Sequence, residues 1–250
     1  MTETSAIEQL LLAMADDELV LGHRNSEWTG HSPILEEDIA FSNIAQDEIG
    51  HSLVWYSLYE QLTQRSPDTM AFERSWNEFT SCRFVTYPKG DFAYTVVRQF
   101  LFDIAEEIRL KALSSSSYSP VKDAAAKILK EEAYHRLHLQ GLVERLGDGT
   151  EESHRRMQTA LDAAFPQALG MFEKLPEEDA LVNKKVMIPN EELKKEWLAI
   201  IIPVLKSSTL ALHLNAQPDL GGRNRKHTEH LQQLMTDLQS VYRSVPETAW

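Results

Sequence analysis

The sequence lacks several features that would point to other protein classes. A single cysteine, Cys82, excludes disulfide bonds within the chain. Glycine and proline number only ten each, and no regular series of short alternating runs between turn residues is present, so an all-β domain is excluded. No uncharged apolar run reaches about 18 residues. The N-terminus has no basic region followed by an apolar one, so a cytoplasmic protein without a membrane span or signal peptide is expected.

Basic residues are also scarce. Lys and Arg total 25 against 38 Asp and Glu, which gives a formal net charge of −13. Because nucleic-acid binding calls for clustered Lys and Arg, a nucleic-acid partner is not expected. A chain of 250 residues built from long helices can form one domain, so we predict a single domain over 1–250, with a bundle core at 1–150 and a helical extension at 151–250.

One short motif occurs twice. DEIGH, which ends at His51, recurs as EEAYH, which ends at His135. Each copy spaces a Glu and a His three residues apart, Glu48 before His51 and Glu132 before His135, so both side chains share one helix face about a turn apart. Each pair lies in an apolar stripe, where an unpaired carboxylate is costly. Two such helices that face each other predict a two-metal site.

Helical periodicity groups the first half of the chain into two hairpins, each ending in a motif-bearing helix. Ser32–Pro33 and Ser119–Pro120 are expected to cap and start these second helices. The irregular segment 63–90 predicts the long crossover of a ferritin-like four-helix bundle. The predicted fold is therefore an all-α ferritin-like bundle of two hairpins with additional C-terminal helices. The helices are expected over roughly 7–28, 32–62, 92–113, 119–147, 152–172, 190–213 and after 227, with bends at Pro166 and Pro203.

A dinuclear site in such a bundle also needs one acid from each of the two other helices. Glu18 lies in the apolar stripe of the first helix, and the turn between the helices lies midway between it and Glu48. Asp103 is matched in level to Glu132 in the same way, because each helical residue rises about 1.5 Å. Carboxylate and imidazole ligands suit two iron ions, with manganese as the next choice and no organic cofactor. The alternative is an internal hydrogen-bonded network without metal.

Other residues near the motifs have open roles. Glu106 and Glu107 are the alternatives to Asp103, since a longer side chain could reach from a neighbouring turn. Asp47 and Glu131 are candidates for the outer shell that orients each His, or are exposed helix positions.

Several side chains are not expected to take part in the metal chemistry. Asp16 and Asp17 are expected to be solvated. The acids at 36–38 are expected only to interact favourably with the helix dipole, because they lie in the first turn of the helix. The HTEH motif at 227–230 is interpreted as structural or as a contact between subunits, and the basic loop at 221–226 could meet an anionic ligand tail. Three aromatic residues could line a cavity, although core packing is the simpler interpretation: Trp55, Phe100 and Tyr134.

Five stretches together resemble the ring-1,2-phenylacetyl-CoA epoxidase family of aerobic phenylacetate catabolism. The likeness covers essentially the whole chain, including the terminal Trp250, and is closest to the C-type subunit. The stretches are EWTGHSP (27–33), QDEIGH (46–51), KEEAYH (130–135), RLGDGT (145–150) and KHTEHL (226–231).

The resemblance implies a ferritin-like subunit of a multicomponent oxygenase. Its partners would be a homologous A-type catalytic subunit, the other epoxidase subunits and a reductase that takes electrons from NADPH, in a homo- or hetero-oligomer that acts on phenylacetyl-CoA. The A-type ligand pattern of Glu, Glu-x-x-His, Asp and Glu-x-x-His is matched in full. It falls on Glu18, Glu48, His51, Asp103, Glu132 and His135.

Familiar C-type subunits have lost several of these ligands, whereas this chain keeps all six. The leading hypothesis is therefore an epoxidase subunit with a complete di-iron ligand set for O2-dependent ring epoxidation. The alternative is a metal-free scaffold that binds the catalytic subunit. A stand-alone di-iron or di-manganese oxidase or iron store is a third, weaker hypothesis.

Overall fold

The computed structural model describes residues 3–245, so the terminal Trp250 lies outside the described residues. All regular secondary structure in this range is helical. Within it, no helix is long and apolar enough to cross a membrane. The helices are α1 (Glu3–Ser26), α2 (Leu35–Thr63), α3 (Arg83–Thr86), α4 (Phe92–Leu113), α5 (Ser119–Gly147), α6 (Glu151–Ala168), α7 (Glu178–Asn183), α8 (Asn190–Ser207) and α9 (Glu229–Ser244).

The four long helices α1, α2, α4 and α5 form the bundle. α1 packs along α2, α4 packs along α5, and α2 meets α5. The two hairpins are joined side by side, where Asn25 on α1 donates to Gln99 on α4 at 2.7 Å and Trp28 Nε1 donates to Thr95 Oγ1 at 2.8 Å. The segment between α2 and α4 is a long crossover. The predicted all-α ferritin-like bundle is thus confirmed.

α4 is the central helix, because it contacts α5, α6 and α8 as well as α1. All of its residues from Thr95 to Leu110 are buried. Asp91 caps it by accepting from the Tyr94 amide at 2.9 Å. Its bounds are those predicted from the sequence, since the cap and the serine run that follows are local signals.

The C-terminal helices α6 and α8 cover the side of the bundle formed by α4. α6 and α8 pack against α4, and Trp197 on α8 donates from Nε1 to the carbonyl of Leu101 at 2.9 Å. α9 lies against the crossover. The short helix α7 was not predicted, and α8 ends at Ser207 rather than near residue 213, because Thr209 takes a left-handed backbone conformation with φ 61°. The bends at Pro166 and Pro203 stay predictions.

The predicted serine caps are wrong by one or two residues. α2 begins at Leu35 after an extended Ile34, and the Ser32 hydroxyl donates back to the carbonyl of Trp28 at the end of α1. Ser119 is itself the first residue of α5, and Tyr118 precedes it. The Ser-Pro dipeptides therefore mark the turns but do not cap the helices.

The expectation that Asp16 and Asp17 are solvated is also wrong. Asp16 is fully buried and accepts from Arg74 Nη2 at 2.5 Å and from the Tyr56 hydroxyl at 2.6 Å. Asp17 accepts from Arg223 Nη2 at 2.5 Å. Buried carboxylates need such partners, and here the arginines come from the crossover and from the C-terminal extension. These two ion pairs fasten both segments to α1.

Candidate metal centre

Six side chains converge in the middle of the bundle, and all are at most 2% exposed. Five of them form two groups, in each of which the potential ligand atoms lie within 4.8 Å of one another. One group is Glu18, Glu48 and His51, and the other is Glu48, Asp103 and His135. Glu48 belongs to both groups. The arrangement has the form of two adjacent cation positions that share a carboxylate.

The sixth residue, Glu132, lies between the two histidines. Its Oε1 is 3.4 Å from His51 Nδ1 and 3.4 Å from His135 Nδ1, while the ring centroids are 6.3 Å apart. The Nδ1 of His51 is also 3.9 Å from Glu18 Oε2. One acid from α1, one from α4 and a Glu-x-x-His from each of α2 and α5 therefore face one another, as the sequence predicts.

The inward-facing atoms of these residues have no hydrogen-bond partner. Buried polar atoms are nearly always paired, so a cluster of unpaired ones calls for an explanation. A divalent cation accounts for it, because carboxylate oxygens and imidazole nitrogens are its ordinary ligands. The donor set therefore fits the metal that the motif implies. The unpaired atoms are both oxygens of Glu18 and of Glu132, Oε2 of Glu48, Oδ2 of Asp103, and Nδ1 of His51 and of His135.

The outward-facing nitrogen of each histidine is bonded to an acid on the opposite motif helix. His51 Nε2 donates to Glu131 Oε2 at 2.8 Å, and His135 Nε2 donates to Asp47 Oδ2 at 3.0 Å. With the proton on Nε2, the lone pair of Nδ1 points inward, which is the tautomer that a metal ligand needs. The side chains of Asp47 and Glu131 are 42% and 51% exposed, so they form the outer edge of the site.

The electrostatics of the cluster favour a bound cation. Burial, followed by the charges of neighbouring carboxylates, raises the pKa of Glu18 and of Glu132. Burial likewise raises the pKa of Asp103 well above its usual value. Burial alone would lower the pKa of His135, but the carboxylates around it, Glu132 first, raise it to about 11. Without a cation the group holds protons to limit its negative charge, and a metal ion can replace them.

The alternatives to Asp103 lie outside both groups. Glu106 is buried but accepts from Arg109 at 2.6 Å, and burial raises the pKa of its carboxyl to about 7 although Arg109 opposes the shift. Glu107 is paired with Lys111 and Arg136. Each acid has its own cation on or beside α4.

Gln99 belongs to the site, although its sequence position predicted no role for it. Its Nε2 donates to Glu48 Oε1 at 2.7 Å and to Asp103 Oδ1 at 2.6 Å, one turn away on α4. The available signal was its position four residues before Asp103, on the same face of the helix.

The aromatic residues differ in placement. Trp55 and Phe100 are fully buried, whereas Tyr134 is 58% exposed and stacks on His138. A cavity-lining role for Tyr134 is therefore wrong, because its position on α5 faces away from the core.

Glu37 has a partner that its position in the first turn of α2 did not indicate. It is buried, and its carboxylate lies 2.9 Å from His138 Nε2.

The HTEH motif lies away from both carboxylate groups. His227 contacts the carbonyl of Phe79 through Nε2 at 2.8 Å, and the backbone carbonyl of His230 accepts from Arg24 at 3.1 Å. In the preceding loop, Arg223 is buried against Asp17, whereas Arg225 and Lys226 are exposed, so contact of this loop with an anionic ligand tail stays a prediction. These contacts hold the start of α9 and the loop before it to the crossover and to α1.

Comparison with known proteins agrees with this geometry. The chain is 31% identical to the C subunit of 1,2-phenylacetyl-CoA epoxidase from Escherichia coli (strain K12) over 240 residues, which cover 96% of this chain and 97% of that protein. It is 28% identical to the A subunit of the same enzyme and organism over 196 residues, or 76% of this chain and 62% of that protein. A family model described as "Phenylacetic acid catabolic protein" matches residues 1–250. The chain therefore belongs to the family of phenylacetic acid catabolic proteins.

Proposed function

We propose that the chain is a subunit of a phenylacetyl-CoA 1,2-epoxidase complex and that it binds two iron ions. The cluster of unpaired, buried ligand atoms in two groups that share Glu48 is the observation that carries the proposal. The family membership supports the reaction class. The proposed ligands are Glu18, Glu48, His51, Asp103, Glu132 and His135.

The metal, once bound, would supply the activation of O2 for ring epoxidation, with electrons from a reductase component. The protein residues have three tasks around it. The carboxylates balance the charge of the cations, Asp47 and Glu131 hold the histidines in the metal-binding tautomer, and the surrounding core excludes water. Trp55 and Phe100 belong to that apolar core beside the centre.

The second candidate is a metal-free scaffold within the complex. It is favoured by the raised pKa values of Glu18 and Asp103, because protonated carboxyls can coexist in a buried network. It is disfavoured by the unpaired atoms, since a network retained without metal would be expected to pair them.

Metal content separates the two candidates. We expect protein loaded anaerobically with Fe²⁺ and then desalted to retain close to two iron ions per chain. Glu48→Ala should lose most of them, because this residue belongs to both groups. The matched control is Glu37→Ala, which removes another buried Glu of α2 outside both groups. Retention of well under one iron ion per chain by the unmutated protein would exclude the di-iron proposal.

Activity of the complex is the second readout. His135→Ala should abolish oxygenation of phenylacetyl-CoA by the complex reconstituted with the reductase and an A-type subunit, if this centre takes part. Unchanged turnover with metal-depleted His135→Ala protein would leave the scaffold role as the better account.

We also propose that a homologous A-type subunit binds across α2 and α5. The relatives at 31% and 28% identity are two subunits of one complex, so a chain of this family has a homologous partner available. Exposed apolar residues on these neighbouring helices support this face, because such residues usually need cover when they cluster. They are Leu35, Ile39, Ile49 and Leu53 on α2, and Tyr134 and Leu137 on α5.

A matched pair of charge substitutions tests this surface. Leu137→Glu should weaken binding of the A-type subunit, measured by co-elution, about tenfold or more, because a desolvated charge would enter the interface. Leu214→Glu is the control, since Leu214 is 58% exposed and lies in the loop after α8, on neither α2 nor α5. Equal binding by both variants would contradict the proposed surface.

A further inference from the structure

We propose that Gln99 is a positioning residue that holds Glu48 and Asp103 ready for the metal, and that Asn25 sets its orientation. The inference rests on the proposed metal-binding function. It concerns a chain of three contacts that links α1, α4 and α2: Asn25 Nδ2 donates to Gln99 Oε1 at 2.7 Å, and Gln99 Nε2 donates to Glu48 at 2.7 Å and to Asp103 at 2.6 Å.

The first step is the orientation of the amide. A glutamine amide can present either its oxygen or its nitrogen, and its neighbours decide which. Asn25 is fully buried and directs an N–H at the oxygen of Gln99. The nitrogen of Gln99 must therefore face the two carboxylates. Gln99 is itself fully buried, so water does not compete for these contacts.

The second step is what the amide does to the carboxylates. Both N–H groups of Gln99 are used, one for Glu48 Oε1 and one for Asp103 Oδ1. The other oxygens, Glu48 Oε2 and Asp103 Oδ2, have no partner. Gln99 thus leaves each of these acids one free oxygen, whereas Glu18 and Glu132 each keep two.

The third step is the consequence for binding. Glu48 and Asp103 are the two acids of the group that includes His135. Fixing both before the cation arrives removes the conformational freedom that binding would otherwise have to restrict. Side chains that orient metal ligands in this way typically contribute about 10–100-fold to metal affinity. We expect a contribution in that range from Gln99.

The test compares Fe²⁺ affinity, measured anaerobically by competition with a chelator, in four proteins. Gln99→Leu should bind Fe²⁺ about 10–100-fold more weakly than the unmutated protein. Asn25→Leu should show a smaller loss, because Gln99 remains but its amide is free to turn. The Asn25→Leu/Gln99→Leu double variant should be no weaker than Gln99→Leu, since Asn25 acts through Gln99.

The chain offers a closely matched control. Gln239 is also buried, and its Nε2 also donates to two oxygens, the backbone carbonyls of Ala71 and Arg74 at 3.1 and 2.9 Å. Gln239→Leu removes an equivalent pair of contacts, but to backbone carbonyls that belong to neither carboxylate group. It should lower thermal stability and leave Fe²⁺ affinity unchanged.

A spectroscopic readout distinguishes positioning from general stability. The ligand-field absorption of the Co²⁺-loaded protein should change in Gln99→Leu and stay the same in Gln239→Leu. Unchanged affinity and an unchanged Co²⁺ spectrum in both Gln99→Leu and Asn25→Leu would overturn the positioning role while the proposed function stands. Absence of Fe²⁺ binding by the unmutated protein would instead overturn the proposed function, and the positioning role with it.

Discussion

Glu131 on α5 accepts a hydrogen bond from Nε2 of His51 on α2 at 2.8 Å, and this contact crosses from one motif copy to the other. The reverse contact joins His135 to Asp47 at 3.0 Å. Each acid therefore orients the histidine of the other motif, not the one on its own helix. The two motif copies therefore support each other through these two contacts.

We expect loss of either acid to weaken metal binding. Asp47→Asn and Glu131→Gln should each lower Fe²⁺ affinity about 10–100-fold, because the histidine loses the acceptor that fixes its tautomer. Anaerobic titration with a competing chelator measures the change. Glu144→Gln, an exposed acid farther along α5, is the control. Wild-type Fe²⁺ affinity in both variants would show that Asp47 and Glu131 do not contribute to metal binding.

The buried pair between Arg223 and Asp17 should contribute strongly to stability. Arg223→Ala leaves an uncompensated carboxylate in the core, and such changes cost about 3–5 kcal/mol. Arg225, two residues away, is exposed, so Arg225→Ala should change the free energy of unfolding by less than about 0.5 kcal/mol. Urea denaturation compares the two. Similar values would show that the buried pair contributes little.

Two glycines on the first hairpin should respond to alanine in opposite directions. A Cβ at Gly22 would lie 2.9 Å from Ile49 Cγ1 and 3.0 Å from the Ala45 carbonyl oxygen, so α1 and α2 would be forced apart. Gly22→Ala should destabilise by about 1–3 kcal/mol. Gly50 has open space around it, and Gly50→Ala should stabilise α2 by about 0.5–1 kcal/mol. Thermal unfolding of both variants measures the contrast, and a stabilised Gly22→Ala variant would contradict the close packing.

The stability of the metal-free protein should fall as the pH rises. Burial raises the pKa of Glu106 to about 7, above its value of 4.5 in an unfolded chain. Between these values the native state holds the extra proton, so the free energy of unfolding decreases with increasing pH.

Glu106→Gln removes this titration and should reduce the slope by up to about 1.4 kcal/mol per pH unit. Urea titrations from about pH 5 to 7, with a chelator present, give the slope for each protein. Glu144→Gln should leave the slope unchanged. An unchanged slope in Glu106→Gln would show that the Glu106 carboxyl does not titrate between about pH 5 and 7 in the folded protein.

The bundle and its six inward-facing side chains could be predicted because the signals are local or periodic. Helical spacing placed Glu48 and His51 on one face, and equal rise per residue matched Asp103 to Glu132 in level. The same reasoning separated Asp103 from Glu106, whose side chain is paired with Arg109 instead. The assignment of these residues as ligands stays a prediction.

What could not be predicted depends on contacts between distant parts of the chain. Asp17 and Arg223 are 206 residues apart, and Asp16 and Arg74 are 58 apart, so nothing near either acid indicates its partner. Gln99 presented a similar difficulty, because its two acceptors come from different helices. The division into a core at 1–150 and an extension at 151–250 also stays a prediction.

The ion pair of Arg223 has a consequence for attempts to make a smaller protein from this chain. A polypeptide cut after residue 150 would retain all six proposed ligands but would lose the guanidinium that compensates Asp17, the residue next to Glu18. The carboxyl-terminal hundred residues therefore neutralise a buried charge of α1 from outside the bundle. A miniaturised or transplanted version of this centre would need a replacement cation at that point.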